Sequence, residues 1–261
     1  ILAITLVSEI GYRLLPYDPK KMGDVPLGLP PSWQHPLGTD PMGRDLLTQL
    51  LFGTTLSIRI GFMAGMVAFT IAVLIALIGG YYGGTLDGIL NVVTEVFITI
   101  PSLAILILVA ALVGRVDIPM MSLILAVFGW AWPCKVMRAQ ILSLKERGFI
   151  RLAKLSGYHG IEIVIREIMP NMLPFLGAYF AVVVSAAMIA EAGLELIGLG
   201  PQYTITLGIM LNWAMVHAAF TRGLTNWWIP PVFVLIWIFL SLFIISMGLD
   251  EVGNPRLKVK G

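Results

Sequence analysis

Apolar runs of membrane length alternate along this chain with short charged or glycine- and proline-rich segments. Residues 60–78 are uninterrupted and uncharged and end at Gly79-Gly80. At about 1.5 Å of helical rise per residue they match a hydrocarbon core roughly 30 Å thick. Residues 92–113 are long enough for a second span but carry Glu95 and Pro101, and residues 119–134 form a short third with Trp130 and Trp132, which suit a membrane interface. Residues 174–197 hold Glu191 and Glu195 near their far end, and residues 227–247 run clean after an aromatic pair and two prolines. Residues 205–220 are shorter and interrupted by Asn212 and His217, which predicts an interfacial or re-entrant helix. The opening run, residues 1–7, is about a third of a span and predicts a first helix whose start lies before Ile1. The pattern thus predicts six crossings, the cut first helix included.

Composition excludes the soluble classes. Hydrophobic residues make up 58% of the 261, charged residues only 12%, and the mean hydropathy is +0.90. Soluble domains carry about 25% charged residues. The net charge of +2 is too small to point to nucleic acid, and the single cysteine, Cys134, excludes a disulfide framework or a cysteine-rich metal site. For the opening run a signal peptide is the poorer expectation, since it shows neither a basic n-region nor a small-residue cleavage site.

Charge placement orients the spans. With six crossings, one side receives Lys135, Arg138, Lys145, Arg147, Arg151, Lys154 and Arg166, and also Arg256, Lys258 and Lys260 in the tail. These are ten of the 17 basic residues. The positive-inside rule puts that side in the cytoplasm. The opposite segment, residues 17–53, is rich in proline and glycine and predicts an irregular extracellular strap. It ends in an amphipathic interfacial helix, with Asp40 capping a turn that begins at Pro41 and with Leu46, Leu47, Leu50 and Leu51 on one face. Arg59 and Arg115 are expected at the outer interface, snorkelling toward water.

Residues 143–171, SLKERGFIRLAKLSGYHGIEIVIREIMPN, form a charged island that cannot lie in lipid. Gly157 and Gly160 bracket Tyr158-His159 and permit a sharp turn between two short helices. Ile150, Leu152 and Leu155 offer apolar contacts, with Arg147, Arg151 and Lys154 supplying charge around them. From the residues alone the island is either a solvated basic loop or a structure that another protein grips. The chain has no G-x-x-x-x-G-K-[ST] segment to cradle phosphates.

Four ordered motifs point to a family. His35-Pro36-Leu37-Gly38-Thr39-Asp40 with Gly43-Arg44-Asp45, followed by Gly53 and Leu56-Ser57, resembles the N-terminal signature of oligopeptide and dipeptide permease subunits of ATP-binding-cassette importers. The island is similar to their cytoplasmic coupling loop, with Ala153, Gly157 and Met169-Pro170-Asn171 in register. The run IAEAGLELIGLG (residues 189–200) and the closing GLDEVGNPRL (residues 248–257) resemble the same family. One departure stands out: Arg151-Leu152 occupies the place of a glutamate and an alanine, inverting the charge of the loop.

The resemblance implies an all-α, polytopic permease with six transmembrane helices and the type I importer fold. Residues 1–55 would form the N-terminal part, 56–250 the permease domain with its coupling loop at 143–171, and 251–261 a cytoplasmic tail. The coupling set would be Arg147, Ile150, Arg151, Leu152, Ala153, Lys154, Leu155, Ser156, Gly157 and Pro170. The implied partners are a second homologous permease subunit, two ATPase subunits, an extracellular solute-binding protein and the bilayer. No residue of this chain would be catalytic, and no cofactor would be its own, because ATP and magnesium would sit on the ATPases. Peptides are the implied solute, with oligosaccharides and nickel chelates as alternatives in the same family.

Polar residues within the spans carry two readings. Asn91, Glu95 and Glu191 either line the solute path or a gate, or serve as hydrogen-bonding glue between helices, Thr94 assisting. A proton-coupled secondary transporter would use Glu95 and Glu191, although no inverted repeat is visible. A scaffold that recruits an ATPase without moving solute is a third reading. His35 is expected to fold the strap, His159 to be a solvated or contact residue in the coupling turn, and His217 to lie on the outer helix without a ligand partner. Pro101 is expected to kink its helix as a static feature.

Overall fold

The computed structural model describes residues 1–113, 116–201 and 203–253, and these contain helices and no strand. Arg115, the basic tail residues Arg256, Lys258 and Lys260, and the last four residues of the closing motif (254–257) lie outside the described residues. In chain order the helices are α1 (Leu2–Leu14), α2 (Leu46–Tyr82), α3 (Gly84–Thr99), α4 (Ser102–Val113), α5 (Ile118–Gly129), α6 (Ala131–Lys145) and α7 (Gly148–Leu155). Then α8 (Ile161–Ile163) passes through a π-helical turn, Val164–Ile168, into α9 (Met169–Leu196), and α10 (Leu207–Val216) and α11 (Thr225–Gly253) follow. Three helical stretches are long and apolar enough to cross a membrane: Leu46–Tyr82, Ile161–Leu196 and Thr225–Glu251. Counting the bent pairs α3–α4 and α5–α6 as one span each gives five. With only 13 residues, α1 is shorter than a crossing.

The core of the bundle is α2 against α9, and small residues set how close they come. Ala64, Ala68, Ala72 and Ala76 recur every fourth position on α2 and are all buried. Gly61 and Gly65, a G-x-x-x-G pair, turn toward α9. A Cβ on Gly65 would lie 2.7 Å from Val184 Cγ2 and 2.9 Å from Val184 Cα, so only glycine lets the two backbones approach this closely.

Three expectations are corrected. The interfacial helix and the first complete span are one rod of 37 residues, about 55 Å long. It starts at Leu46 because Asp45 caps it, accepting from the Thr48 amide at 2.8 Å. As expected, Asp40 caps the turn that begins at Pro41, through the amides of Met42 and Arg44. The start of the rod is not amphipathic: Thr48 and Gln49 are as buried as Leu46. Gly53 continues the helix and brings it close to Thr206, just ahead of α10, where an added Cβ would meet Thr206 C at 3.1 Å.

The third correction concerns residues 92–113 and 119–134, neither of which is a straight span. The first is broken by 78° between α3 and α4, the second by 47° between α5 and α6. At the first break Ile100 is extended (φ −78°, ψ 128°), as a residue before proline prefers to be. Beyond the second break, α6 runs to Lys145 and carries Lys135 and Arg138 on the helix. The short segment at residues 205–220 yields the ten-residue α10, too short to cross.

At one end of the bundle the strap is held by buried polar groups. His35 Nδ1 lies 2.8 Å from Asp45 Oδ2, and Asp40 Oδ2 accepts from Arg44 Nε at 2.8 Å and from Gln49 Nε2 at 3.1 Å. The Arg44 guanidinium also stacks 4.0 Å from the Trp213 ring of α10. Arg59 does not simply snorkel: it pairs with Glu9 at 2.9 Å and ties α1 to α2. At the opposite end lies the island with α7.

Candidate functional site

α7 is an eight-residue helix built to stand on the bundle and show one face outward. Ile150 is fully buried and Ala153 nearly so, and both join a cluster with Met137 and Ile141 of α6 and with Ile163, Val164 and Ile168. On the other face Leu152 is 64% exposed and Leu155 84% exposed, among exposed Arg147, Arg151, Lys154 and Ser156. Ile150 therefore does not offer the outward contact expected of it. It is the anchor, because a helix with apolar residues on two faces must spend one of them on the bundle, and Ile150 and Ala153, three residues apart, form that face.

The helix ends sharply. Gly157 has φ +88°, its amide donates to Lys154 O at 3.1 Å, and the Tyr158 amide donates to Ala153 O at 3.1 Å. These two bonds make a Schellman motif with glycine in the left-handed position. Tyr158 packs against the same buried cluster, and the Arg166 guanidinium lies 5.6 Å from its ring. His159 is exposed in the turn and its carbonyl accepts from the Glu162 amide. Pro170 is exposed just after the π-helical turn, whose wider winding suits a residue with no N–H to offer Arg166. Arg151 lies 3.9 Å from Glu146 with both side chains largely in water, so its charge is open to a partner.

Behind α7, α6 is fastened to α3. Arg138 makes a two-point contact with Asp87, Nε to Oδ1 and Nη2 to Oδ2, each at 2.6 Å. Lys135 Nζ lies 2.7 Å from Glu95 Oε1, and Cys134 Sγ is 3.9 Å from Thr94 Oγ1. Lys145 reaches back to the Tyr81 ring at 5.8 Å, beside the α2–α3 junction.

Both helix breaks open onto one cavity of about 450 Å³. Ile100, Pro101 and Ser102 line it from the first break, Ala131, Trp132 and Pro133 from the second, and Tyr179, Val182, Ala186 and Ala190 from α9. Its wall is apolar with a few polar atoms, the general texture of a small-molecule site.

The three path residues expected from the sequence are not brought together. Glu95 is occupied by Lys135, Asn91 sits half-buried one turn earlier on α3, and neither is among the cavity-lining residues. Glu191 is buried beside Ser57 of α2, and neither of its oxygens completes a hydrogen bond among the described residues. Glu195, one turn on, accepts from Thr206 Oγ1 at 2.5 Å ahead of α10. His217 Nδ1 faces Trp213 O at 2.9 Å. Sequence reasoning missed the cavity wall of small α9 residues and the Asp87–Arg138 pair. The first had a signal, small residues at fourfold spacing in Val182, Ala186 and Ala190. The second had none, since its partners lie 51 residues apart.

The family model for binding-protein-dependent transport system inner membrane components matches residues 44–259. A dipeptide transport system permease protein, DppC, of Bacillus subtilis is 28% identical over 262 aligned residues, covering 99% of this chain and 80% of the relative. An oligopeptide transport system permease protein, OppC, of Mycobacterium tuberculosis is 34% identical over 214 residues, covering 80% of this chain and 74% of the relative. Among solved structures, an inward-facing form of the MetNI methionine ABC transporter superposes with a TM-score of 0.60 at 16% identity, over 80% of this chain and 97% of that one, a likeness of fold. The fold, the order of the motifs and the matched length agree: the chain belongs to the family of binding-protein-dependent transport system inner membrane components.

Proposed function

We propose that this permease supplies half of the transmembrane path of an ATP-driven peptide importer and that α7 is the element through which separate ATPase subunits drive it. The peptide assignment is drawn from the relatives named for dipeptide and oligopeptide transport. The observation that carries the coupling role is the split of α7, with Ile150 and Ala153 anchored and Leu152 and Leu155 held out among basic residues. A rigid helix seated on a partner passes that partner's rigid-body motion to whatever it is anchored on. Here that is α6 and the start of α9. The island and the tail would face the cytoplasm and the strap the outside, where a binding protein would deliver solute. A second homologous subunit would complete the path, the 450 Å³ cavity being this chain's share of it. ATP and magnesium would be held by the ATPases.

The ion pair of Glu95 with Lys135 weighs against a proton-coupled carrier, because a carboxylate neutralised by a lysine is a poor site for loading and unloading a proton. The test is uptake of a labelled di- or oligopeptide into proteoliposomes holding the whole complex, at zero proton gradient. ATP-dependent uptake that disappears when residues 151–156 are deleted supports the reading. Uptake driven by a proton gradient without ATP overturns it, and ATPase recruitment with no flux of any solute would leave a scaffold.

A further inference from the structure

We infer that Asp87 and Arg138 are positioning residues for transport: their two-point ion pair makes α3 move with α6, and so connects α7 to the break at Ile100–Pro101 that borders the cavity. The inference rests on α7 being the ATPase-docking element and names how its motion reaches the path.

The geometry supplies each link. α7 is anchored on the cluster containing Met137 and Ile141, which lie one residue before and three residues after Arg138 on α6. Arg138 then grips Asp87 through two contacts of 2.6 Å, with side chains only 28% and 15% exposed. A fork-to-carboxylate contact fixes both distance and angle between two helices, which a single-point contact does not. Asp87 sits in the first turn of α3, where a carboxylate is favoured by the helix dipole. The far end of α3 is the 78° break, and Ile98, Ile100 and Pro101 there line the cavity. A push on α6 is therefore delivered to the cavity wall through one rigid helix. Glu95–Lys135, farther along the same pair of helices, is about half exposed and adds a looser second contact.

The test uses the whole complex in proteoliposomes, with Asp87→Asn, Arg138→Gln and the double variant. Two quantities are read: solute taken up per ATP hydrolysed, and ATPase recovered with the purified permease. Each single change is expected to lower uptake per ATP about tenfold, within the span reported for coupling residues. ATPase recovery stays unchanged. The double variant is no worse than either single one, as two halves of one contact require. Arg138→Lys, which keeps the charge and loses the fork, gives an intermediate ratio and guards against a variant that does not fold. Uptake per ATP within twofold of the unaltered complex, or additive losses in the double variant, overturns the inference. Failure of the docking role itself is told apart by a separate arm: deletion of residues 151–156 would then leave ATPase recovery intact.

Discussion

Replacing Leu155 by alanine should weaken the grip of the ATPase without loosening the permease, and replacing Ile150 should do the reverse. Leu155 is 84% exposed and Ile150 is not exposed at all, although both lie on the same two turns of α7. Fully burying a leucine side chain stabilises by about 1.5–3 kcal/mol. Most of that remains to be gained at Leu155 when a partner covers it, roughly 1–2.5 kcal/mol. Leu155→Ala should therefore weaken association by about five- to seventyfold, since about 1.4 kcal/mol is a factor of ten. Ile150→Ala instead leaves a cavity beneath the helix at a cost of about 2–5 kcal/mol. The assay is a binding titration of purified ATPase against the permease pair in nanodiscs, alongside its thermal melting. Leu155→Ala is expected to shift the dissociation constant and leave the melting temperature in place. Unchanged affinity for Leu155→Ala would refute the outward reading of this face.

The remaining expectations test other joints of the same structure. Gly65→Ala drives a methyl group against the α9 backbone at Val184 Cα and should cost about 1–3 kcal/mol, read as a lower melting temperature; an unchanged melt would show that α2 and α9 can part freely. Ala218, at φ 56° after α10, holds a left-handed conformation that costs an L-residue about 1–2 kcal/mol, so Ala218→Gly should raise the melting temperature, and no rise would remove the claim of strain. Arg151→Glu should weaken ATPase association by up to about 1 kcal/mol at low salt, with the difference fading at high salt. Equal binding at both salts would mean that the contact is made by shape. Glu191→Gln, a near-isosteric neutral change at a buried carboxyl that completes no hydrogen bond among the described residues, should leave transport intact and stability equal or higher. Loss of transport in that variant would make the ionisation of Glu191 part of the function.

What the sequence disclosed follows from the range over which each signal acts. Apolar run length is local, so the cores of α2, α9 and α11 and the shortness of α10 were legible. Pro101 announced a break but not its 78° size, which depends on what α4 packs against. The inward turn of Ile150 was not legible because Ile150 with Ala153, and Leu152 with Leu155, have the same helical spacing. Periodicity marks two faces and does not say which one meets the bundle. The Asp87–Arg138 pair joins residues 51 apart, beyond any i,i+4 rule, and needs the fold to bring them together. By contrast, the stripe Ala64, Ala68, Ala72 and Ala76 and the Gly61–Gly65 pair stand in plain view at fourfold spacing, and they mark where α2 is closely packed.

The polar contacts also grade from one end of the molecule to the other, and the grading says where motion is cheap. Around the strap, Asp40, Arg44, Asp45 and Gln49 are almost wholly buried, Arg44 and Gln49 bonded to Asp40 and His35 to Asp45. Removing one partner of a buried charge pair costs about 3–5 kcal/mol, so this end resists rearrangement. Asp87–Arg138 is mostly covered and doubly bonded, while Glu95–Lys135 is about half exposed and singly bonded. Arg151–Glu146 on the island is largely in water at 3.9 Å. Exposed pairs of that kind are worth about 0–1 kcal/mol and can break and re-form. On the proposed docking at α7, a force arriving there would meet a firm joint at Asp87–Arg138 and looser ones around it, with the strap resisting rearrangement. The two broken helices border the cavity, and on that proposal a change in shape would be absorbed at their breaks.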